Sequence, residues 1–316
     1  MSLHEHKAPF NNFHFDVGDG HALYVEQYGN PQGMPAIFLH GGPGSGCTPK
    51  HAKIFDPEKF NVVLLDQRGC GKSTPYASVE GNTIVNLWND IERLRLHLNF
   101  DKIALVGGSW GSALAMIYTR NKPENVSRLL LRGVFFADAV GAQWIAEETE
   151  NRKHAPEYFD AYRDHIPVAE RSHGLIKAYN RILAKGPDDP AAIEAHRLFY
   201  LWDTAIGHPI PNETVLQAIR DNPKDGFPLS RFFMNFCEHE FSPENKSFIL
   251  GGREQLKDIP ITIAHGLYDW ICPHANALEL AAAYPHAELV SVEGGHVMGD
   301  PAIATALKNV LDGWKP

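Results

Sequence analysis

The chain has 316 residues, of which 44% are hydrophobic and 21% charged, and 29 Lys and Arg stand against 38 Asp and Glu for a formal net charge of −9. This length and composition exclude a disordered chain, a collagen-like fibre and a disulfide-stapled miniprotein, and they suit about two domains or one core with a large insertion. The acidic balance, without any Lys/Arg cluster, speaks against nucleic acid as a partner.

The N-terminal stretch has no apolar h-region, so no signal peptide is expected. No apolar run approaches the roughly 18 residues of a membrane span, so no membrane partner is expected either. His4, Glu5 and His6 read as a frayed terminus rather than a metal site, because HExxH spacing is absent. Phe13–Phe15 and Ala22–Tyr28 alternate around Gly18-Asp19-Gly20, which predicts a hairpin.

Short apolar runs follow, each ending in polar or glycine residues: Ala36–Leu39, Val62–Leu65 and Ile103–Val106. Continuous apolar runs of this length suggest strands buried on both faces of a parallel sheet. Thr83–Leu98 lies between two of them with helical spacing through Ile84, Leu87, Trp88, Ile91, Leu94 and Leu98. The alternation predicts a doubly wound α/β layer. It stops after the run Leu129–Phe136. From Ala137 to Leu250 the patterns are helical, as in Ala191–Trp202 and Val215–Arg220. Strand character returns at Ile261–Ala264 and Glu288–Val292, with helices at Ala275–Ala283 and Ala302–Trp314. The expected organisation is one α/β core interrupted by a helical insertion. Cys47, Cys70, Cys237 and Cys272 contain no C-x-x-C pair, so free thiols in a reducing cytoplasm are expected, with neither disulfide nor zinc.

Gly107-Gly108-Ser109-Trp110-Gly111 is a G-x-S-x-G between a predicted strand and a predicted helix, Ser112–Asn121. That context makes a nucleophile elbow, whose crowded turn requires small residues at Gly107 and Gly111 and lifts the Ser109 hydroxyl above the sheet. A serine hydroxyl needs a base, and the base needs an orienting carboxylate. Asp269 and His296 follow in that order, each just past a predicted strand, where α/β sheets place their sites. His40-Gly41-Gly42-Pro43-Gly44 follows another strand. The Gly42 and Trp110 N–H groups are the candidate oxyanion donors. Gly69-Cys70-Gly71-Lys72-Ser73 superficially matches a phosphate loop, but Asp66 stands where its first glycine belongs. Asp66-Gln67-Arg68-Gly69 is instead expected to brace the loops around the site.

Together His40–Gly44 (HGGPG), Asp66–Ser73 (DQRGCGKS) and Gly107–Ser112 (GGSWGS) resemble the proline iminopeptidases, a branch of the α/β-hydrolase fold superfamily. The resemblance covers about residues 20–135 and 255–316. It implies a mostly parallel central sheet flanked by helices, with a helical cap inserted after the sixth strand. The catalytic core would then be 1–136 and 256–316, and the cap 137–255. It also implies Ser109, Asp269 and His296 as the triad, no metal or cofactor, and a small peptide substrate. Members of the family hold the substrate ammonium with acidic cap residues. One lies in a Trp-Glu pair, which here is Trp202-Asp203. The other precedes a His-aromatic-Phe segment, which here reads Cys237-Glu238-His239-Glu240-Phe241 and puts Cys237 at the acidic position. Asp203, with Glu238 or Glu240, is therefore the expected amine clamp, and Phe199 could share a helix face with Asp203. The alternative is an esterase or amidase of the same fold that needs no free amine.

Overall fold

β1 (Asn11–Gly18) and β2 (His21–Gly29) form the expected antiparallel hairpin, and Gly18, Asp19 and Gly20 all turn through positive φ. The computed structural model describes residues 2–315. The N-terminus is not frayed as expected: His4 Nε2 bonds Asp312 at 2.8 Å, and His6 Nε2 bonds the Phe55 carbonyl at 2.9 Å. β2 pairs antiparallel with β4 (Phe60–Leu65), which the apolar runs did not reveal. β4 then pairs parallel with β3 (Met34–Leu39), and β3 with β5 (Ile103–Gly108).

α1 (Ile84–His97) connects β4 to β5, with the Thr83 side chain capping it by accepting the Asn86 N–H. α2 (Trp110–Asn121) leaves β5 directly at Ser109. β6 (Val126–Arg132) stops four residues short of the expected run, because Gly133 turns away through a φ of 57°.

Eight α-helices of the described residues separate β6 from the next strand: α3 (Ala139–Ala146), α4 (Pro156–Asp164), α5 (Val168–Arg171), α6 (Leu175–Leu183), α7 (Pro190–Ile206), α8 (Glu213–Asp221), α9 (Phe227–His239) and α10 (Pro243–Leu250). They share an aromatic interior. Tyr162 packs on Tyr179 and Phe199, Phe159 on Trp202, and Phe199 stacks on Phe233. The Trp202 indole N–H finds the Ile145 carbonyl at 2.8 Å, as a buried indole requires. α7 runs past its expected end at Trp202. Asp189 and Pro190 start it, and Ile206 ends it, so Asp203 sits in its last turn.

β7 (Ile261–Gly266), α11 (His274–Ala283), β8 (Glu288–Val292) and α12 (Pro301–Gly313) complete the chain. The sheet order is β1-β2-β4-β3-β5-β6-β7-β8, parallel from β4 through β8. Alternate strand residues face opposite cores. Ile37, Leu39 and Leu105 join the core under α1 and α2, while Ala36, Phe38 and Val106 join Ile303, Leu307 and Leu311 of α12. Both faces are covered, so the carboxyl ends of the parallel strands are left as the place where loops can build a site.

Candidate active site

Ser109 lies at the joint of β5 and α2 with φ 57° and ψ −126°. A non-glycine residue in that region is strained and persists only where its surroundings hold it. The holding contacts are local. The Ser109 N–H donates to the Arg132 carbonyl at 2.8 Å, and its own carbonyl accepts the Ser112 N–H and hydroxyl at 2.8 and 2.7 Å. A Cβ on Gly107 would lie 2.2 Å from the Gly111 carbonyl oxygen, and one on Gly111 would lie 2.1 Å from the Leu39 carbonyl oxygen. Backbone cannot swing aside as a side chain does. Gly111→Ala should therefore cost about 3 kcal/mol or more, lowering Tm by roughly 5 °C or more. A thermal melt equal to that of the parent would refute this crowding.

His296 and Asp269 come together as the sequence predicts. His296 Nδ1 bonds Asp269 Oδ2 at 2.7 Å. The other carboxylate oxygen accepts the Ile271 and Cys272 N–H groups at 3.0 and 2.7 Å. Burial pushes the Asp269 carboxyl up, but His296, His265 and the Cys272 N–H outweigh it and hold the group below its ordinary value. An ionised Asp269 fixes His296 with its proton on Nδ1 and leaves Nε2 as the acceptor. Burial lowers the His296 pKa below 6.5, against the pull of Asp269, so the ring is a neutral base at pH 7. His265 adds a layer behind. Its Nδ1 accepts the Val134 N–H at 3.2 Å, so its Nε2 carries the proton and donates to the Cys272 carbonyl at 2.8 Å. The Ser109 hydroxyl sits beside the Cys272 thiol rather than bonding His296.

Gly42 has φ 108°, and a Cβ there would meet the Gly44 N at 2.6 Å, so only glycine fits this turn. Among the described residues neither the Gly42 nor the Trp110 N–H donates to a protein acceptor. The expected brace is present. Gln67 donates its N–H to His40 Nε2 and its amide to the His40 carbonyl, both at 3.0 Å, and accepts the Trp110 indole N–H at 2.8 Å. One side chain thus ties the glycine loop to the elbow helix. Asp66 accepts the Cys47 and Lys72 N–H groups at 2.6 and 2.8 Å, and Arg68 is paired in the interior with Asp90 at 2.6 Å.

A cleft of about 380 Å³ contains Ser109, His296, Gly42 and Asp203. That volume suits a small ligand. Asp203 makes no hydrogen bond or ion pair with another described side chain, and burial raises its pKa to about 7. It is the only carboxylate on the cleft wall among the described residues. Beside it stand Tyr200 and Thr204 of α7, and Phe135, Leu229 and Phe233 form an apolar wall.

Two expectations need correction. Glu238 is exposed and accepts from Asn180 Nδ2, away from the cleft. Glu240 accepts the Ile84 N–H at 2.9 Å and so caps α1. Glu238 leaves the clamp because it lies on the solvent side of α9, and Glu240 because α9 ends at His239 and turns the chain toward the start of α1. Phe199 lies one turn before Asp203 on α7 and so shares its face, but it stacks on Phe233 inside the helical layer and does not line the cleft. Arg132 was missed, although a lone cation inside the apolar run Leu129–Phe136 was a signal available in the sequence. Tyr200, Leu229 and Phe233 were missed because nothing in a helical pattern says which face meets the sheet.

The family model for the alpha/beta hydrolase fold matches residues 35–300. The chain is 37% identical over 300 residues to a proline iminopeptidase of Arabidopsis thaliana, covering 95% of this chain and 78% of that one. It is 36% identical over 314 residues to the proline iminopeptidase of Xylella fastidiosa (strain Temecula1), covering 99% of both, and 34% identical over 315 residues to that of Neisseria gonorrhoeae, again covering 99% of both. A solved 2-hydroxy-6-oxo-6-phenylhexa-2,4-dienoate hydrolase from Rhodococcus shares the fold with a TM-score of 0.60 at 20% identity, covering 92% of this chain and 93% of that one. A serine hydrolase from Cycloclasticus zankles does so with a TM-score of 0.65 at 15% identity, covering 96% and 98%. With relatives this similar along its whole length, the chain belongs to the proline iminopeptidase family of α/β hydrolases.

Proposed function

We infer that this protein is a serine aminopeptidase that releases an N-terminal proline, or a related small residue, from short peptides. The observation that carries this reading over an esterase or amidase is Asp203, a carboxylate without a protein partner in the same cleft as Ser109 and His296. A half-buried carboxylate without a cation is poorly solvated, and a substrate ammonium supplies the missing charge. The ring of an N-terminal proline fits against Phe135, Leu229 and Phe233. The clamp then uses one carboxylate, aided by the Tyr200 and Thr204 hydroxyls.

In this reading Ser109 rotates from Cys272 to His296 when substrate enters. His296 Nε2 takes the hydroxyl proton as Oγ attacks the carbonyl carbon. The Gly42 and Trp110 N–H groups receive the oxyanion. His296 then gives the proton to the leaving amine, and water repeats the sequence to free the acyl group. Residues 1–136 and 256–316 serve as the catalytic core, and 137–255 as a cap that supplies Asp203. No helix among the described residues is long and apolar enough to cross a membrane, and the four cysteines are free, which suits the cytoplasm.

The test compares a proline arylamide, its N-acetylated form and an aryl ester. The free amine should be cleaved fastest. Its kcat/KM should rise with pH through about 7, where Asp203 becomes charged. The ester needs only neutral His296, so its rise should lie below pH 6.5. A preference for the blocked substrate would overturn the aminopeptidase reading in favour of the esterase or amidase. A common acid limb for both substrates would remove Asp203 from the clamp.

A further inference from the structure

Arg132 is the last residue of β6, opposite Gly108 in the parallel ladder. It touches both halves of the proposed machinery. Its carbonyl accepts the Ser109 N–H at 2.8 Å, and its Nη1 donates to the His296 carbonyl at 2.7 Å. The next residue continues the platform. A Cβ on Gly133 would lie 2.8 Å from His296 Cε1 and 3.4 Å from Asp269 Oδ2, so the imidazole rests on bare backbone. The guanidinium itself lies over Gly108, where a Cβ would come within 2.3 Å of Nη2.

Among the described residues Arg132 forms no ion pair, and burial lowers its pKa. Arg132 is half-buried on the cleft wall and has no carboxylate partner there, so its charge is only partly screened by water. A neutral donor would hold one carbonyl at lower cost. The charge can therefore act beyond the hydrogen bond, and the groups that feel it include the Asp269–His296 pair.

We propose that Arg132 is a positioning residue, which ties the loop of His296 to the turn of Ser109 and sets the imidazole against a fixed positive charge. The proposal rests on the reading of His296 as the base. The groups that face His296 are Asp269 and His265 from the end of β7, Arg132 from β6 and His208 after α7, with Asp203 across the cleft. Asp269 favours the imidazolium, whereas Arg132 and His208 disfavour it. Removing Arg132 should therefore let His296 hold its proton to higher pH. Arg132 lines the same cleft, but its bond goes to the His296 carbonyl and not to the proposed amine clamp, so substrate affinity should depend on it little.

The experiment uses the aryl ester, so that Asp203 does not enter the pH profile. Arg132→Met should lower kcat by roughly ten- to a hundredfold with KM within about twofold, since misplaced catalytic groups lose rate rather than binding. Its acid limb should move up by about half a pH unit or more. Arg132→Lys keeps the charge, so its limb should stay at the parent position while kcat falls in part. Gly108→Ala, which pushes the guanidinium off its seat, should lower kcat and move the limb up by less than Arg132→Met does, and it supplies the test if the Met variant does not fold. An unmoved limb in a folded Arg132→Met variant, or unchanged kcat in both Arg132→Lys and Gly108→Ala, would overturn the proposal. A rise in KM alone would make Arg132 a substrate contact instead. Failure of the underlying reading looks different: His296→Ala would then retain activity.

Discussion

Ser109→Ala is expected to lower kcat by about a millionfold while leaving the fold unchanged, the scale on which triads of this kind fail when the nucleophile is removed. The side chain makes no protein hydrogen bond that holds the turn. Its backbone N–H and carbonyl contacts to Arg132 and Ser112 survive the change. Thermal unfolding should therefore shift by no more than a degree or two. His296→Ala should be about as damaging, because the serine is inert without a base. Members of a triad act as one unit, so the double variant should be no worse than either single one. Independent effects would instead multiply to about 10^12, a difference far outside error. Multiplied losses would show that Ser109 and His296 do not act together, as would labelling of a different serine by a fluorophosphonate.

Asp203→Asn should separate recognition from chemistry. A charged hydrogen bond in a partly dry cleft is worth about 1.5–3 kcal/mol, so kcat/KM for a free-amine substrate should fall roughly ten- to a hundredfold. The aryl ester, which has no ammonium, should be cleaved at the parent rate. Stability should move the opposite way. The Asp203 carboxyl titrates near 3.8 when unperturbed and at about 7 in the folded protein. Between those values the folded chain holds a proton that the unfolded chain has released. Stability therefore falls as pH rises through this window, and the full loss is present above pH 7. The Asn side chain does not ionise and escapes that loss. The variant should accordingly match the parent melt near pH 4 and exceed it at pH 8. A lower melt at pH 8, or equal losses on amine and ester substrates, would make Asp203 a structural residue and move the amine site elsewhere.

The resemblance to a peptidase family was carried by glycines and by the residues between them. These positions are legible because the crowded turn and its neighbouring strand leave room for nothing but glycine. Gly107 and Gly111 must be small where β5 turns into α2, and Gly42 must adopt positive φ. The order of Ser109, Asp269 and His296 was readable for a related reason: each follows a short apolar run, and strand ends in a parallel sheet lie on one side. The brace at Asp66–Gly69 was legible as polar residues at another strand end. Its bonds, such as Gln67 to Trp110, were not.

Tertiary structure decided the rest. The antiparallel pairing of β2 with β4 is invisible in composition, since a strand buried on both faces reads the same in either direction. β6 ends at Arg132 because its pairing stops there and Gly133 turns, whereas the apolar run goes on to line the cleft with Phe135. The amine clamp shows the difference most clearly. Asp203, Glu238 and Glu240 are equally acidic and lie in or next to helices, so no local rule ranks them. Only the packing of α7 and α9 over the sheet leaves Asp203 in the cleft, turns Glu238 outward and sets Glu240 on the first turn of α1. Local geometry is written in short stretches of sequence, whereas the partner of a side chain depends on which distant element folds against it. The sequence by itself therefore determined the layered α/β core and the place of Ser109, His296 and Asp269 at its strand ends, while the tertiary structure alone decided which acid meets the substrate cleft and that Arg132 joins the two loops beneath it.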